Sequence, residues 1–227
     1  MTKQCMLAAV AVLAASASAS AGLVAGWTIP TAIPPGTTGT NYTYGEADQG
    51  DAFAGTSLSA FHALAATTWS SPSGNGSTYS LSSNNWSVGD YYQIAVSTVG
   101  YSDISLAWDQ TRSSTGPSSF RVDMSTDGSN FSTILASYSV IQAGLAGTGT
   151  LAWSVANGVQ SAFTTTIASI AGADNQATLV FRFVNLSTVA TGGTNRIDNI
   201  VVSSGPIPAP GAIALLGLAG LASRRRR

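Results

Sequence analysis

The sequence predicts an all-β protein whose body, residues 22–205, is a single β-sandwich domain. Short stretches of β-branched and aromatic residues recur along this body, and clusters of Gly, Asn, Asp and Ser separate them. Signals for helices are nearly absent from the same residues. With about eight to ten strands and enough chain for a substantial core, the pattern favours two packed sheets.

The first part of the body predicts two strands and a long loop. Hydrophobic stretches at residues 23–29 and 59–68 indicate the strands. The segment 70–85 is rich in Ser, Gly and Asn, and we expect an exposed loop there.

Alternation of apolar and polar residues marks the central strands. Residues 91–99 form one predicted strand and residues 104–108 the next. In the second of these, Ile104, Leu106 and Trp108 share one face, because successive side chains of a strand point to opposite faces.

A hairpin and three further strands complete the predicted body. The strand at 119–124 is predicted to turn its three apolar residues inward and Arg121 and Asp123 outward. Residues 127–130, Asp-Gly-Ser-Asn, then form a hairpin turn that leads into a strand at 131–136. The remaining strands are predicted at 161–170, 178–185 and 196–203.

The N-terminus has the plan of a secretory signal peptide. Lys3 precedes an apolar stretch at 6–15 and a small-residue run at 16–21. Ala-Ser-Ala at 19–21 fits the cleavage pattern, so residues 1–21 are predicted to be removed; the same tripeptide at 17–19 is an alternative. The protein is therefore expected to be exported.

Cysteine and charge narrow the function classes. Cys5 is the only cysteine and lies within the predicted signal peptide, so the exported body has no disulfide and no thiol nucleophile. The body holds four arginines against ten acidic residues, a net charge of −6. Because phosphate binding needs clustered cations, nucleic acid is not expected as a partner.

The C-terminus, residues 206–227, combines prolines, a short apolar helix at 212–222 and a cationic end. Eleven residues of helix span roughly 17 Å, against a hydrocarbon core of roughly 30 Å. We therefore expect transient insertion into the inner membrane, with the basic end on the cytoplasmic side. Two alternatives are a glycolipid-anchor signal, which normally lacks a polybasic end, and a buried helix. The basic end consists of Arg224, Arg225, Arg226 and Arg227.

This order of features resembles the PEP-CTERM sorting signal of exported bacterial proteins. The family's motif maps onto Pro208, Ala209 and Pro210, with Ala209 where the family has a central Glu. The resemblance implies that an exosortase, a membrane-embedded protease, processes the tail during export with exopolysaccharide. It implies a destination at the cell surface or in the extracellular matrix.

The body resembles the jelly-roll domains of exported PEP-CTERM proteins over residues 86–203. The resemblance rests on WSVGDYYQI at 86–94, the stretch 107–131 and GGTNRIDNIVV at 192–202. The last motif is also similar to galactose-binding-like and carbohydrate-binding modules, whose final strand carries an Asp-Asn pair, here Asp198 and Asn199. This implies a jelly-roll body.

A structural calcium ion at Asp198 is one hypothesis. Ca²⁺ takes six to eight oxygen ligands, and the body is acidic and rich in Asp and Asn. If the jelly-roll resemblance holds, Asp198 with Glu46 or Asp48 would link the first and last strands through the ion. The alternative is that Asp198 pairs with Arg196 or caps a turn.

The catalytic inventory is sparse. His62 is the only histidine, and no G-x-S-x-G motif marks a serine hydrolase. His62 is interpreted as a packed or surface residue. Paired carboxylates for glycoside hydrolysis remain open, the candidates being Glu46, Asp103, Asp109 and Asp123.

Aromatic residues near the 70–85 segment are candidate platforms for sugars, with a place in the core as the alternative for each. These are Trp69, Tyr79, Trp86, Tyr91 and Tyr92.

The sequence thus predicts a non-enzymatic, exported protein of the cell surface or matrix. The alternative is a carbohydrate-binding module for exopolysaccharide, and the less favoured reading is a polysaccharide-acting enzyme.

Overall fold

The computed structural model describes residues 22–205, which fall within one compact unit. The predicted signal peptide, the Pro208-Ala209-Pro210 motif and the terminal arginines lie outside these residues. Within them the chain forms twelve strands in two six-stranded sheets, and every strand pairing is antiparallel. The all-β sandwich is therefore confirmed.

In chain order the strands are β1 (Gly22–Trp27), β2 (Asn41–Gly45), β3 (Ser57–Phe61), β4 (Trp69–Ser70), β5 (Leu81–Ser83), β6 (Tyr91–Val96), β7 (Ser105–Arg112), β8 (Ser119–Ser125), β9 (Ser132–Ser139), β10 (Thr164–Ile167), β11 (Leu179–Asn185) and β12 (Asn195–Ser204). The longest connection between strands, residues 140–163, joins β9 to β10. Two short 3₁₀ helices, Val155–Asn157 and Ser161–Phe163, precede β10.

The two sheets draw their strands from both halves of the chain. The first sheet has the order β10-β7-β12-β5-β4, and β1 also pairs with β12. The second sheet has the order β2-β3-β6-β11-β8-β9. The last strand thus lies between β7 and β5, beside the first strand, so the ends of the described chain meet in one sheet.

Alternating side chains from both sheets fill the core between them. In β6, Tyr92 and Ile94 are fully buried while their neighbours are half-buried, as period-2 alternation requires. Phe120 and Val122 of β8 and Trp108 of β7 are likewise fully buried. The predicted inward faces of residues 104–108 and 119–124 are confirmed, as is the outward direction of Arg121 and Asp123.

The segment 70–85 was wrongly predicted as an exposed loop. It contains β5, and both Asn75 and Ser80 are buried. The backbone N–H of Asn75 donates to Asp198, 123 residues away, and the Ser80 hydroxyl donates to the Pro72 carbonyl. Short polar side chains can be buried when such bonds satisfy them, and no periodicity in the sequence reveals distant partners.

Strand boundaries also differ from the prediction. The predicted strand at 59–68 is limited to β3, which ends at Phe61, and the predicted strand at 161–170 is limited to β10. The strands β2, β4 and β5 were not predicted, because stretches of two to five residues are too short to show a clear alternation.

No helix within residues 22–205 has the length and apolar character needed to cross a membrane. The predicted C-terminal apolar helix lies outside these residues.

Candidate functional site

The outer face of the second sheet carries two adjacent rows of side chains that cross its strands. Strand register places one row, here called the aromatic row, at Asn41, Phe61, Tyr91, Val184 and Arg121. The next row, here called the polar row, holds Thr43, Ser59, Gln93, Arg182, Asp123 and Thr133. Directly opposed Cβ atoms on one face lie about 4.5–5.5 Å apart, so each row is a continuous ridge.

Aromatic rings and one guanidinium group pack together on this face. The Phe61 and Tyr91 rings stack with centroids 5.0 Å apart. The Arg182 guanidinium carbon lies 4.4 Å from the Tyr91 centroid and 3.7 Å from that of Phe131, which precedes β9. Arg182 Nε donates to Gln93 Oε1 at 2.8 Å. The guanidinium plane is therefore held by two rings and one hydrogen bond.

A second guanidinium group on the face is neutralised by a carboxylate. Arg121 Nε donates to both carboxylate oxygens of Asp123, at 3.0 and 2.9 Å. The Thr133 hydroxyl donates to the same carboxylate at 2.7 Å. Asp123 is thus occupied by groups of its own sheet, and it does not pair with its cross-strand neighbour Arg182.

Most side chains of the two rows are half-buried or exposed. Phe61, Tyr91, Gln93 and Arg182 all have partial exposure, whereas Val184, Ser59 and Asp123 are buried. The strands hold each side chain from a rigid backbone, which positions a binding surface more accurately than a loop would. The face therefore offers solvent a fixed arrangement of ring edges, an amide and two cations.

Of the five aromatic residues proposed as sugar platforms, Tyr91 lies in the aromatic row. Trp69, Trp86 and Tyr92 are buried in the core, so the structure contradicts their role as platforms. Tyr79 is half-buried and packs against the core. The two tryptophans flank His62, with ring centroids 4.8 and 4.2 Å away.

Three residues of the face were missed by the sequence analysis: Phe61, Phe131 and Arg182. Alternation could have found Arg182, because it interrupts the apolar run of β11 at an outward position. Phe61 is the last residue of β3, and Phe131 precedes the first residue of β9. At such positions the alternation of buried and exposed residues does not predict the direction of a side chain. Their convergence depends on the order of strands in the sheet.

His62 is a buried residue without access to a substrate. Its Nδ1 lies 3.4 Å from an Asp90 carboxylate oxygen, and its Nε2 lies 3.2 Å from the Ser83 hydroxyl. Burial lowers the pKa of His62 to about 4, and the Asp90 charge only partly opposes this. The interpretation of a packed histidine is confirmed.

The candidate catalytic carboxylates are not brought together. Asp109 is buried on β7 of the first sheet, whereas Asp123 is on β8 of the second. Glu46 accepts a hydrogen bond from the Gly55 amide nitrogen in an exposed turn, and Asp103 precedes β7 with a φ of 54°. These positions do not provide two carboxylates facing one groove.

Asp198 belongs to a buried polar network, with Asp109 as its register partner on β7. Asp198 Oδ2 accepts hydrogen bonds from the backbone N–H of Asn75 at 2.8 Å and from the Ser77 hydroxyl at 2.6 Å. Asp109 Oδ2 accepts from the side-chain amides of Asn75 and Asn199, both at 2.8 Å. Asp198 therefore caps the bend at 74–77, as one of the alternatives to a metal site predicted. It does not pair with Arg196, which donates to the Ser73 carbonyl.

This network does not fit the proposed calcium ion. Its donors are N–H and O–H groups aimed at the carboxylates, whereas Ca²⁺ requires six to eight oxygen ligands. One buried oxygen, Asp198 Oδ1, has no partner among the described residues. Asp48, a proposed partner of Asp198 at the ion, accepts hydrogen bonds from the backbone N–H and the hydroxyl of Thr28. Residues 22–205 contain no group of three or more His, Cys, Asp or Glu arranged to hold a metal.

Burial dominates the ionisation of Asp198. It raises the pKa of this carboxyl to about 7, and the nearby Asp109 charge adds to the effect while the hydrogen bonds from Ser77 and Asn75 oppose it. The unpartnered oxygen and the raised pKa have the same physical origin, since a buried carboxylate lacks enough donors to replace water.

A surface pocket of about 590 Å³ is lined by no residue of the two rows. Its only charged residue is Arg112, whose guanidinium donates to the carbonyls of Val140, Ser113 and Ser114. The Arg112 guanidinium therefore already has hydrogen-bond acceptors within the protein, whereas Arg182 on the outer face uses only its Nε.

Comparison with known proteins gives likeness only at the level of structure. No protein-family model matches the chain, and no curated protein matches it. The chain is similar to the CBM22-1 xylan-binding domain of Xyn10C from Paenibacillus barcinonensis, with 8% identity, 84% of this chain and 99% of that chain covered, and a TM-score of 0.42. It is also similar to the K3 cleaved adhesin domain of Lys-gingipain from Porphyromonas gingivalis, with 16% identity, coverage of 81% and 99%, and a TM-score of 0.43.

A third similar structure is TmCBM61 in complex with β-1,4-galactotriose, with 9% identity, coverage of 66% and 89%, and a TM-score of 0.34. These likenesses assign no ligand to this chain.

Proposed function

We propose that this chain is an exported, non-catalytic glycan-binding protein whose binding surface is formed by the aromatic and polar rows. The observation that carries the proposal is the packing of Phe61, Tyr91, Arg182 and Phe131 on one half-exposed sheet face, with Gln93 beside them.

A sugar ring matches this surface chemically. Its C–H faces are apolar and its hydroxyls are both donors and acceptors, so it suits a surface of aromatic groups interspersed with a few fixed polar groups. Gln93 offers an amide, Thr43 offers an exposed hydroxyl, and Arg182 offers N–H donors at fixed positions in the polar row. The row extends across six strands, which suits a chain of sugars rather than a single one.

The number of carboxylates on the surface favours binding of a glycan without its hydrolysis. Glycoside hydrolysis uses two carboxyl groups about 5–9.5 Å apart on either side of the bond. The two rows contain one carboxylate, Asp123, and Arg121 and Thr133 already occupy it. The surface can therefore hold a glycan but lacks the pair that would cleave it.

Tyr91→Ala is expected to weaken glycan binding at least about tenfold, because it removes the ring that contacts both Phe61 and Arg182 and so loosens the whole ridge. Affinity electrophoresis in gels containing native exopolysaccharide would measure the effect. Tyr79→Ala is the matched control, since it removes the same side chain outside the two rows. Equal losses in both variants, or release of reducing ends by the wild type, would contradict the proposal.

The destination of the protein rests on its terminal sequences. The signal-peptide pattern at 1–21 and the PEP-CTERM-like tail at 206–227 support export, with an exosortase-type protease as partner and the cell surface or matrix as destination.

Intact mass spectrometry of the native protein is expected to show loss of residues 1–21 and of everything after about Pro208. Signal peptidase and an exosortase would make these two cuts. Retention of Arg224 to Arg227 in the mature protein would show instead that the tail is not processed.

A further inference from the structure

We propose that the outer face selects glycans that carry carboxylate groups, and that Arg182 is the residue that recognises them. This inference rests on the proposed glycan-binding function and specifies the chemical class of its ligand: a polymer that contains uronic acids.

Arg182 differs from the other three arginines of the described chain in its partners. Arg112 and Arg196 donate to backbone carbonyls, and Arg121 pairs with Asp123. Arg182 has one hydrogen-bond partner among residues 22–205, the neutral side chain of Gln93, and this partner takes only Nε. Both terminal nitrogens of its guanidinium are therefore open to a ligand.

The local charge of the face is opposite in sign to that of the body. Residues 22–205 contain four arginines and ten acidic residues, yet the two rows contain two arginines and one aspartate. Asp123 would repel an anion, but Arg121 at 2.9 Å and the Thr133 hydroxyl already compensate it. Arg182 thus supplies an uncompensated positive charge.

The packing of Arg182 prepares it for a planar anion. Its side chain leans toward Tyr91 and Phe131, and so it makes no ion pair with its register neighbour Asp123. Stacking on aromatic faces suits the weakly hydrated guanidinium plane. A carboxylate can then accept two parallel N–H bonds, which are stronger than bonds to a neutral hydroxyl.

The ring edges beside Arg182 restrict the ligand further. A carboxylate held by Arg182 would place the attached sugar ring against the exposed edges of Tyr91 and Phe131 and its hydroxyls near Gln93. A small inorganic anion would satisfy the guanidinium but would leave the aromatic row uncovered. The arrangement therefore favours a uronic acid within a glycan.

The test compares oligomers of galacturonate, glucuronate and mannuronate with the same oligomers after complete methyl esterification. Esterification removes the charge and keeps the sugar. We expect calorimetry with the full chain to show about tenfold tighter binding of at least one carboxylated oligomer, and weaker binding at higher salt. Arg182→Gln should remove the preference, while Arg196→Gln, which removes the same charge outside the two rows, should retain it. Thermal unfolding would verify that both variants fold.

The possible outcomes separate this inference from the function on which it rests. Equal binding of an acid and its ester, with loss of both in Tyr91→Ala, would overturn the carboxylate preference and leave glycan binding in place. Absence of binding to every oligomer and to native exopolysaccharide would overturn both. If Arg182→Gln does not fold, the comparison of acid and ester on the wild type still decides the inference.

Discussion

Gly74→Ala is expected to lower the free energy of unfolding by about 3 kcal/mol, through overpacking of the buried network around Asp198. An added Cβ atom at this position would overlap Ser77 Oγ, Asp198 Oδ2 and the Tyr79 carbonyl oxygen. One of these is backbone, and the other two form the hydrogen bond that closes the bend at 74–77. The bend therefore cannot move aside without breaking contacts that satisfy a buried carboxylate.

Gly192→Ala is the matched control for this prediction. It makes the same chemical change at a position where an added Cβ atom meets nothing within 4 Å and the backbone is not in the left-handed region. Urea unfolding followed by tryptophan fluorescence would measure both variants. A loss of stability as small in Gly74→Ala as in the control would show that the bend at 74–77 is not tightly packed against β12.

The second large effect is a change in the pH dependence of stability on Asp198→Asn. The pKa of Asp198 is raised by burial to about 7 from its usual 3.8. The folded state therefore keeps the proton that the unfolded state has lost, and Asp198 makes stability fall as the pH rises from about 4 to about 7. The effect on the free energy of unfolding is on the order of 4 kcal/mol.

His62 has the opposite effect over nearly the same pH range. Burial lowers its pKa from 6.5 to about 4, so the unfolded state binds a proton that the folded state does not. Its contribution to stability is complete above pH 6.5 and is lost as the pH falls to about 4. In the wild type the two groups largely compensate each other between these values.

Substituting either residue should therefore expose the pH dependence of stability that the other residue causes. Asp198→Asn is expected to stabilise the protein at pH 8, and it should make stability fall on acidification from pH 6.5 to 4.5. His62→Gln should leave a protein that is more stable at pH 4.5 than at pH 8. Unfolding curves at several pH values from 4.5 to 8 would test this. Asp127 does not interfere in this range, because hydrogen bonds from its turn hold its pKa well below the usual range and keep it ionised. Parallel curves for the two variants would contradict the assignment.

The sequence predicts which side chains of the candidate face point outward, but it does not predict that they come together in one site. Alternation in residues 119–124 correctly placed Arg121 and Asp123 outward. The same rule applies to Tyr91 and to Arg182, since each alternates with buried neighbours. What could not be predicted is that β3, β6, β11 and β8 lie side by side in this order, which brings Phe61, Tyr91 and Arg182 into contact.

The tryptophans show why the prediction of sugar platforms failed. Trp69 precedes the polar segment 70–85 and Trp86 follows it, yet both are buried around His62. Their burial depends on β4 and β5, which the composition did not indicate. A polar segment near an aromatic residue in sequence does not show which of the two faces solvent.

The sequence by itself determined the class of fold, because period-2 alternation and turn residues are local properties that each strand carries alone. It also determined the acidic, cysteine-free character of the body, and the patterns at both termini led to the proposal of export. Only the tertiary structure decided which strands are neighbours, that Asp198 caps a buried bend in a network with Asp109, and that Arg182 lies between two rings without a carboxylate partner. These features depend on contacts between residues far apart in the chain, whose energies come from packing and hydrogen bonding that no local pattern encodes.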